Sequence, residues 1–426
     1  MSYKCFTIAE GAEGFFIENM RFNTTRISYN FYLPLNREDM AQNALLPYLL
    51  TSCCERYKDY IQLNTRLLEL YGADLSSSVA KSGDCLHIKM GISVINDEFS
   101  FDGTRPVTLA AEFMSELIFK PAVLGESFFD NDMLREKRKT VERIIGEIND
   151  KRSYARTRLL AEMMGEDAYG KFIYGEKQEV EALDGKDMYN AWMNMLSSAH
   201  IRVIVIGKAL PQGIFDEIGS RLCAINRCNI TDISRYISIP ETDDVRVITE
   251  EFDITQGKLA IGFTSRLYGD ITKSAALTLA TDIFGGGPYS KLFSNVREKQ
   301  SLCYYCSASA RRLKGFVTVE SGIEKKNAQK VLDAVLYELG QVQSGNFEDS
   351  VFEASKKAAV DSLFGYSDSS ATLDVWYSKS LTEILTPQEA AAVIEKLTKD
   401  EVVAAAKGIK LHTVYRLLPS GKEGKS

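Results

Sequence analysis

At 426 residues the chain is too long for one ordinary domain, and at about 100 to 200 residues per domain it should divide into two. An apolar share of 45%, a charged share of 26% and only 9 prolines exclude a disordered chain and leave material for sizeable cores. A net charge of -7 excludes nucleic acid as the main partner, because phosphate binding needs concentrated Lys and Arg.

The first half opens with β-forming residues, and Arg26 to Leu33 alternates as a strand. Asn36 to Asp39 breaks it, and Ala41 to Cys54 has helical apolar spacing, with Pro47 either kinking that helix or marking its first turn. Tyr60 to Tyr71 reads as an amphipathic helix capped at Gly72. Strands follow at Asp74 to Val79 and Cys85 to Val94, then a helix from Thr104 to Ile118 stopped before Pro121. Asn131 to Met164 is charged and periodic, as one extended helix should be; its basic run Lys137 to Lys139, beside Glu136 and Glu142, reads as a solvated face. Helices around Glu179 to Met195 lead to the strand Ile201 to Ile206, closed by Gly207.

The second half repeats that order. Lys258 to Ser265 reads as a strand, Lys273 to Phe284 and Lys291 to Glu298 as helices, Cys303 to Ala308 and Gly315 to Ser321 as strands. Helices at Ala328 to Val342 and Val351 to Phe364 follow, and His412 to Leu418 is the last strand. Phe129 matches Phe347 at an offset of 218 and Ile201 matches His412 at 211, so two copies of one α/β unit are the simplest account. The expected fold class is therefore α+β, two tandem homologous units at 1–228 and 251–426, with the polar, proline-bearing stretch 229–250 as linker.

Eight irregularly spaced cysteines read as reduced thiols rather than a disulfide framework. Cys303-x-x-Cys306 lacks a second such pair or a nearby histidine pair, and its neighbours look like a strand, which argues against zinc or redox use. No apolar run reaches the roughly 18 residues a membrane helix needs, and Met1 to Phe16 has no signal-peptide core, so the expected location is cytoplasmic with no membrane partner.

The run Gly285-Gly286-Gly287, then Ser290 to Phe293, Val296 to Lys299 and Leu302-Cys303-Tyr304, resembles the second-domain signature of the insulinase-like (M16) zinc peptidases. Phe172-Ile173-Tyr174-Gly175 with Glu179 to Leu183 is similar to a further passage of that family. The resemblance spans nearly the whole chain and implies a clamshell of two domains, each a mostly antiparallel sheet packed with helices. It also implies His-x-x-Glu-His on the first helix, two histidines and a downstream glutamate on zinc, and the motif's glutamate as general base. Counting back from Gly72-Ala73-Asp74-Leu75 puts that motif on Leu46, Pro47, Tyr48, Leu49 and Leu50, of which Leu46, Leu49 and Leu50 replace the key residues. Glu147 stands at the third-ligand position, and the three histidines, His87, His200 and His412, are far apart in sequence. No catalytic residue, metal site or cofactor is therefore expected in this chain alone.

The family's C-terminal domain also supplies an arginine and, seven residues on, a tyrosine that reach substrate; Arg297 and Tyr304 have that spacing. A guanidinium can fix carbonyl oxygens and a phenol can donate to a developing oxyanion, whereas the plainer roles are a helix-surface ion pair with Glu298 and a core tyrosine. The resemblance implies an inactive processing-protease-like subunit that binds extended peptide and complements a zinc-bearing partner subunit, or a copy of itself as a dimer. Its alternatives are a noncatalytic scaffold or assembly protein of the same fold and an active metallopeptidase with an atypical metal site.

Overall fold

The computed structural model describes residues 3–420 apart from 235, 236, 238, 267–269 and 382. The first half carries β1 (Tyr3–Ala9), β2 (Ala12–Glu18), β3 (Thr24–Pro34), α1 (Met40–Leu50), α2 (Tyr60–Glu69), β4 (Asp74–Ser82), β5 (Cys85–Ile95), α3 (Pro106–Phe119), α4 (Asp130–Asn149), α5 (Lys151–Met164), α6 (Lys177–Ala182), α7 (Gly185–Ser198), β6 (His200–Gly207) and α8 (Ile214–Cys223). The second carries β7 (Arg246–Phe252), β8 (Gly257–Thr264), α9 (Ile271–Gly285), a π-helix (Leu292–Lys299), β9 (Cys303–Arg311), β10 (Phe316–Ile323), α10 (Ala328–Gln343), α11 (Asp349–Gly365), α12 (Ser370–Lys379), α13 (Pro387–Lys396), α14 (Lys399–Ala406) and β11 (Lys410–Pro419). The expected repeat is visible in the order. In each half a long helix, α4 or α11, precedes a shorter one, α5 or α12, and two more helices lead into β6 or β11.

Several elements differ from the sequence reading. The hairpin β1–β2 turns at Gly11, whose φ of +63° a side chain would resist, and it adds two strands ahead of β3. The charged run from Asn131 to Met164 is two helices, because the Asp150 carboxylate accepts from the Arg152 and Ser153 N–H groups and starts α5 afresh. Residues 246–250 of the expected linker are strand: β7 pairs in parallel with β11, Arg246 opposite Thr413, and its polar alternation is that of an edge strand.

The compact units also depart from the boundaries 1–228 and 251–426. Gly365–Pro387, with α12, belongs to the first unit, and Gly146–Phe172, with α5, belongs to the second. The two copies have exchanged equivalent helices, which a linear reading has no means to show.

The first unit is built on a six-stranded sheet in the order β1-β2-β6-β3-β5-β4, antiparallel except for β2 with β6. Alternation along β3 and β5 sorts the two faces. Ile27, Tyr29, Phe31 and Leu33 join Ile88, Met90 and Ile92 in one core with Leu45, Leu46, Leu49 and Leu50 of α1 and with α3, α7 and α8. The opposite face presents Arg26, Ser28, Asn30 and Tyr32 against Ser93, Gly91, Lys89 and His87, and α12 covers it.

The second unit has a five-stranded sheet in the order β7-β11-β8-β10-β9. Leu259, Ile261 and Phe263 of β8 face a core shared with α9, α10 and α14. Ala260 on the other face packs with Tyr415, Leu417 and the Ala155 and Leu159 of α5.

Candidate functional site

The first-helix motif position is aliphatic in fact as well as in sequence. Leu46, Leu49 and Leu50 are fully buried in the core of the first unit, and none carries a lone pair for zinc or a group that could take a proton from water. Pro47 lies inside α1; the helix continues past it and the Thr51 hydroxyl donates to the Pro47 carbonyl at 2.8 Å. Tyr48 is the motif residue that turns outward. Its hydroxyl lies 3.2 Å from that of Tyr174, and the Arg143 guanidinium sits over its ring at 3.8 Å and over the Tyr174 ring at 5.8 Å. Burial pushes the Tyr48 phenol up, and the Tyr174 hydroxyl acts in the same direction. A zinc ion does not fit this set of residues: the position offers leucines and an internal cation already stacked on two phenols.

Glu147 lies one helical turn beyond Arg143 on α4, but its carboxylate is engaged by the Thr157 hydroxyl of α5 at 2.7 Å. The histidines are likewise engaged by neighbours. His87 is buried, stacked on Tyr32 at 4.6 Å and bonded through Nε2 to Asn30 Oδ1 at 2.9 Å; burial first, then Lys89, pushes its imidazole down to about 3. His200, distant in sequence, approaches the same Tyr32 ring at 6.2 Å and pairs with Glu13 at 3.2 Å. His412 contacts Thr413 Oγ1 through Nδ1 at 2.7 Å, and burial lowers it.

In the second unit the signature Gly285 to Tyr305 folds into three pieces. Gly285 ends α9 where a Cβ would meet the Ala308 backbone nitrogen at 2.7 Å and Leu292 Cδ1 at 2.8 Å, so glycine lets helix, π-helix and β9 approach. Tyr289 donates to Asp282 Oδ2 at 2.6 Å, an oxygen that also accepts from the Ser355 hydroxyl, which pins the turn after the glycines. Leu292 and Val296 anchor the π-helix in the core.

That arrangement leaves Arg297 and Tyr304 outside. The Arg297 side chain is 40% exposed, with Nε 3.6 Å from Glu298 and the guanidinium 4.7 Å from the Phe293 ring. Tyr304 is 55% exposed, so it is not the core tyrosine of the plainer reading. The cause is a β-bulge. Opposite β10, Gly322 pairs with Tyr305 and Ile323 with Cys303, so Tyr304 is the extra residue and is extruded. Two backbone irregularities thus flank this short interval, the π-type bond from Gln300 N–H to the Asn295 carbonyl and the bulge at Tyr304. β9 ends the sheet and pairs only with β10, so its outer backbone groups have no strand partner among the described residues. The Tyr48–Tyr174–Arg143 stack and the bulge were both beyond sequence reasoning, although Tyr48 and Tyr174 lay in passages already singled out.

A family model described as Peptidase M16 inactive domain matches residues 182–359. Over 419 residues the chain is 28% identical to a Bacillus subtilis (strain 168) protein named "Probable inactive metalloprotease YmfF", covering 98% of this chain and 97% of that one. Its fold superposes on a conserved protein from Enterococcus faecalis V583 with a TM-score of 0.90 at 25% identity over 99% of both chains. A peptidase M16 inactive domain from Pseudomonas fluorescens superposes with a TM-score of 0.81 at 16% identity over 100% of both. Residues 182–359 thus match the M16 inactive domain, and over nearly its full length the chain is similar to a protein named as a probable inactive metalloprotease, in keeping with the leucines in place of a zinc motif.

Proposed function

We propose that this chain is a noncatalytic, cytoplasmic M16-like subunit that binds an extended peptide and complements a zinc-bearing partner subunit in proteolytic processing. The observation that supports it is the extrusion of Tyr304, with Arg297 half-exposed nearby in sequence, on the open edge strand of a sheet. A peptide strand laid on such an edge gains main-chain hydrogen bonds along its length, independent of its side chains. The Arg297 guanidinium would then hold peptide carbonyls and the Tyr304 phenol would donate to an oxyanion developing on the peptide, while zinc held by the partner subunit would supply Lewis-acid chemistry. Zinc is needed only in the partner; no step of this reading requires a metal in this chain.

The test is reconstitution of the full chain with a zinc-bearing M16-like chain and an extended peptide. Tyr304→Phe should lower the cleavage rate by about 100-fold, the usual cost of one oxyanion donor, while assembly measured by size-exclusion chromatography is unchanged. Unaltered cleavage with both Tyr304→Phe and Arg297→Ala would sink the reading.

A further inference from the structure

The bulge at Tyr304 has a second effect. In a regular strand, residues three apart point to opposite faces, so Cys303 and Cys306 would be separated by the sheet. Because Tyr304 is the extra residue, Cys303 and Cys306 instead lie on one face, the core side, where Cys306 is buried and Cys303 half-buried against the same cluster. We propose that Cys303 and Cys306 form a redox-modifiable dithiol, oxidised by a peroxide to a disulfide within β9 that locks the bulge carrying Tyr304.

The surroundings suit the two thiols to different steps. The neighbouring Cys306 thiol first, then Ser321 and the positive charge of Arg297, hold the Cys303 thiol below the usual range although burial opposes them. Cys306 is held correspondingly high by the adjoining Cys303 and by burial. The pair therefore has a thiolate-forming member that is partly accessible and a protonated partner behind it. Other buried thiols lack this arrangement. Burial pushes Cys53 and Cys85 each up to about 12, and Cys53 lies against the Asp132 carboxylate at 3.4 Å.

The chemistry balances with one peroxide. The Cys303 thiolate attacks the terminal oxygen of a hydroperoxide, the O–O bond breaks, an alcohol or water leaves, and a sulfenic acid remains. Cys306 sulfur then attacks the Cys303 sulfur, the S–O bond breaks, and water departs with the Cys306 proton. The two sulfurs supply two electrons to the peroxide, and the net change is two thiols plus hydroperoxide to disulfide, alcohol and water.

Both cysteines fall in one tryptic peptide, Gln300 to Arg311, which makes the test direct. The full chain is treated with near-stoichiometric hydrogen peroxide, alkylated without reduction, and digested. The expected product is that peptide, unalkylated and lighter by two hydrogens, restored to the doubly alkylatable form by dithiothreitol. Cys306→Ser should stop at a sulfenic acid on Cys303 that dimedone traps, and Cys303→Ser should leave Cys306 alkylatable. A wild-type peptide that stays fully alkylatable while the exposed Cys223 and Cys228 oxidise overturns the proposal, as does oxidation of Cys303 only to mixed disulfides with other cysteines. The wild-type measurement needs no variant to fold and does not depend on peptide binding, so its failure would leave the proposed function standing.

Discussion

Helices α12 and α5 hold equivalent places in the repeat, yet they close the second faces of their sheets by opposite chemistry. Beneath the first sheet, the α12 carboxylate of Asp374 is wholly buried; Arg26 Nε donates to one oxygen at 2.6 Å, Lys89 lies 2.8 Å from it, and Ser28 donates to the other at 2.6 Å. Asn30 and His87 extend the layer, and Arg202 donates to the Tyr377 and Ser380 carbonyls at 3.1 and 2.6 Å. Beneath the second sheet, α5 meets small and apolar residues: Ala155 and Leu159 pack with Ala260 and Leu417, and Gly262 leaves room for Met163. Its charges sit at the rim, where Arg152 and Arg156 reach Glu320 at 2.7 and 3.4 Å with side chains 49% and 37% exposed. The difference teaches that the repeat conserves layers rather than interactions. A small, apolar face accepts many helices of suitable shape, whereas buried Arg26 and Lys89 accept only a helix that brings a carboxylate to one point.

The comparison breaks most readily at Asp374. Asp374→Ala leaves two buried cations without their counter-charge and should destabilise the chain by about 3 to 5 kcal/mol, read from the urea midpoint by circular dichroism. Glu320→Ala, which removes the half-buried acid of pairs whose arginines reach solvent, should cost about 1 kcal/mol in the same assay. Equal losses would mean that the buried layer is no more than a surface ion pair in effect. On the apolar side, Gly262→Val is the sharper probe. A Cβ there would already lie 2.7 Å from Met163 Sδ, so the two further methyl groups must displace α5 or strain its side chains, at about 1 to 3 kcal/mol. A neutral outcome by thermal melting would show that α5 is loosely seated.

Much of this contrast can be read from the residues once the faces are known, and little of it before. The alternation in Arg26 to Leu33 marks a strand with one polar face, but nothing local says that the polar face is buried; that follows from a helix more than 300 positions later in the chain. The missing zinc motif was legible because it depends on residue type alone, and Leu46, Leu49 and Leu50 are as aliphatic in the core as on the page. Arg297 and Tyr304 were legible as a spacing, but the exposure of Tyr304 comes from one unpaired residue in the register with β10, which the sequence of β9 does not encode by itself. The same register, absent from the sequence of β9 alone, is what brings Cys303 and Cys306 to one face. Residues 246–250 of β7 read as linker because an edge strand with alternating polar residues has the composition of a loop.

A further effect comes from pH, and it reports on the polar layer without removing a charge. His87 sits within it, facing Lys89 on its own strand, Asp374 and Lys379 from α12, and Arg202 from β6; the cations and burial outweigh the aspartate and hold the imidazole at about 3 against an ordinary 6.5. In the unfolded chain that imidazole takes a proton below about pH 6.5, while the folded chain refuses it until far lower. Stability from this group is therefore complete above about pH 6.5 and falls as pH drops, by about 2 kcal/mol between pH 7 and pH 5. Asp374, whose folded carboxyl is also lowered, acts in the same direction but only as pH falls toward its ordinary value of 3.8 and below, so the window from pH 7 to 5 separates His87 from Asp374. His87→Gln keeps an amide donor for Asn30 and cannot titrate, and urea midpoints at the two pH values should then differ much less than in the wild type. If the decline persists undiminished in His87→Gln, the proton is being taken up elsewhere, with His412 in the second unit the next group to replace because burial lowers it as well.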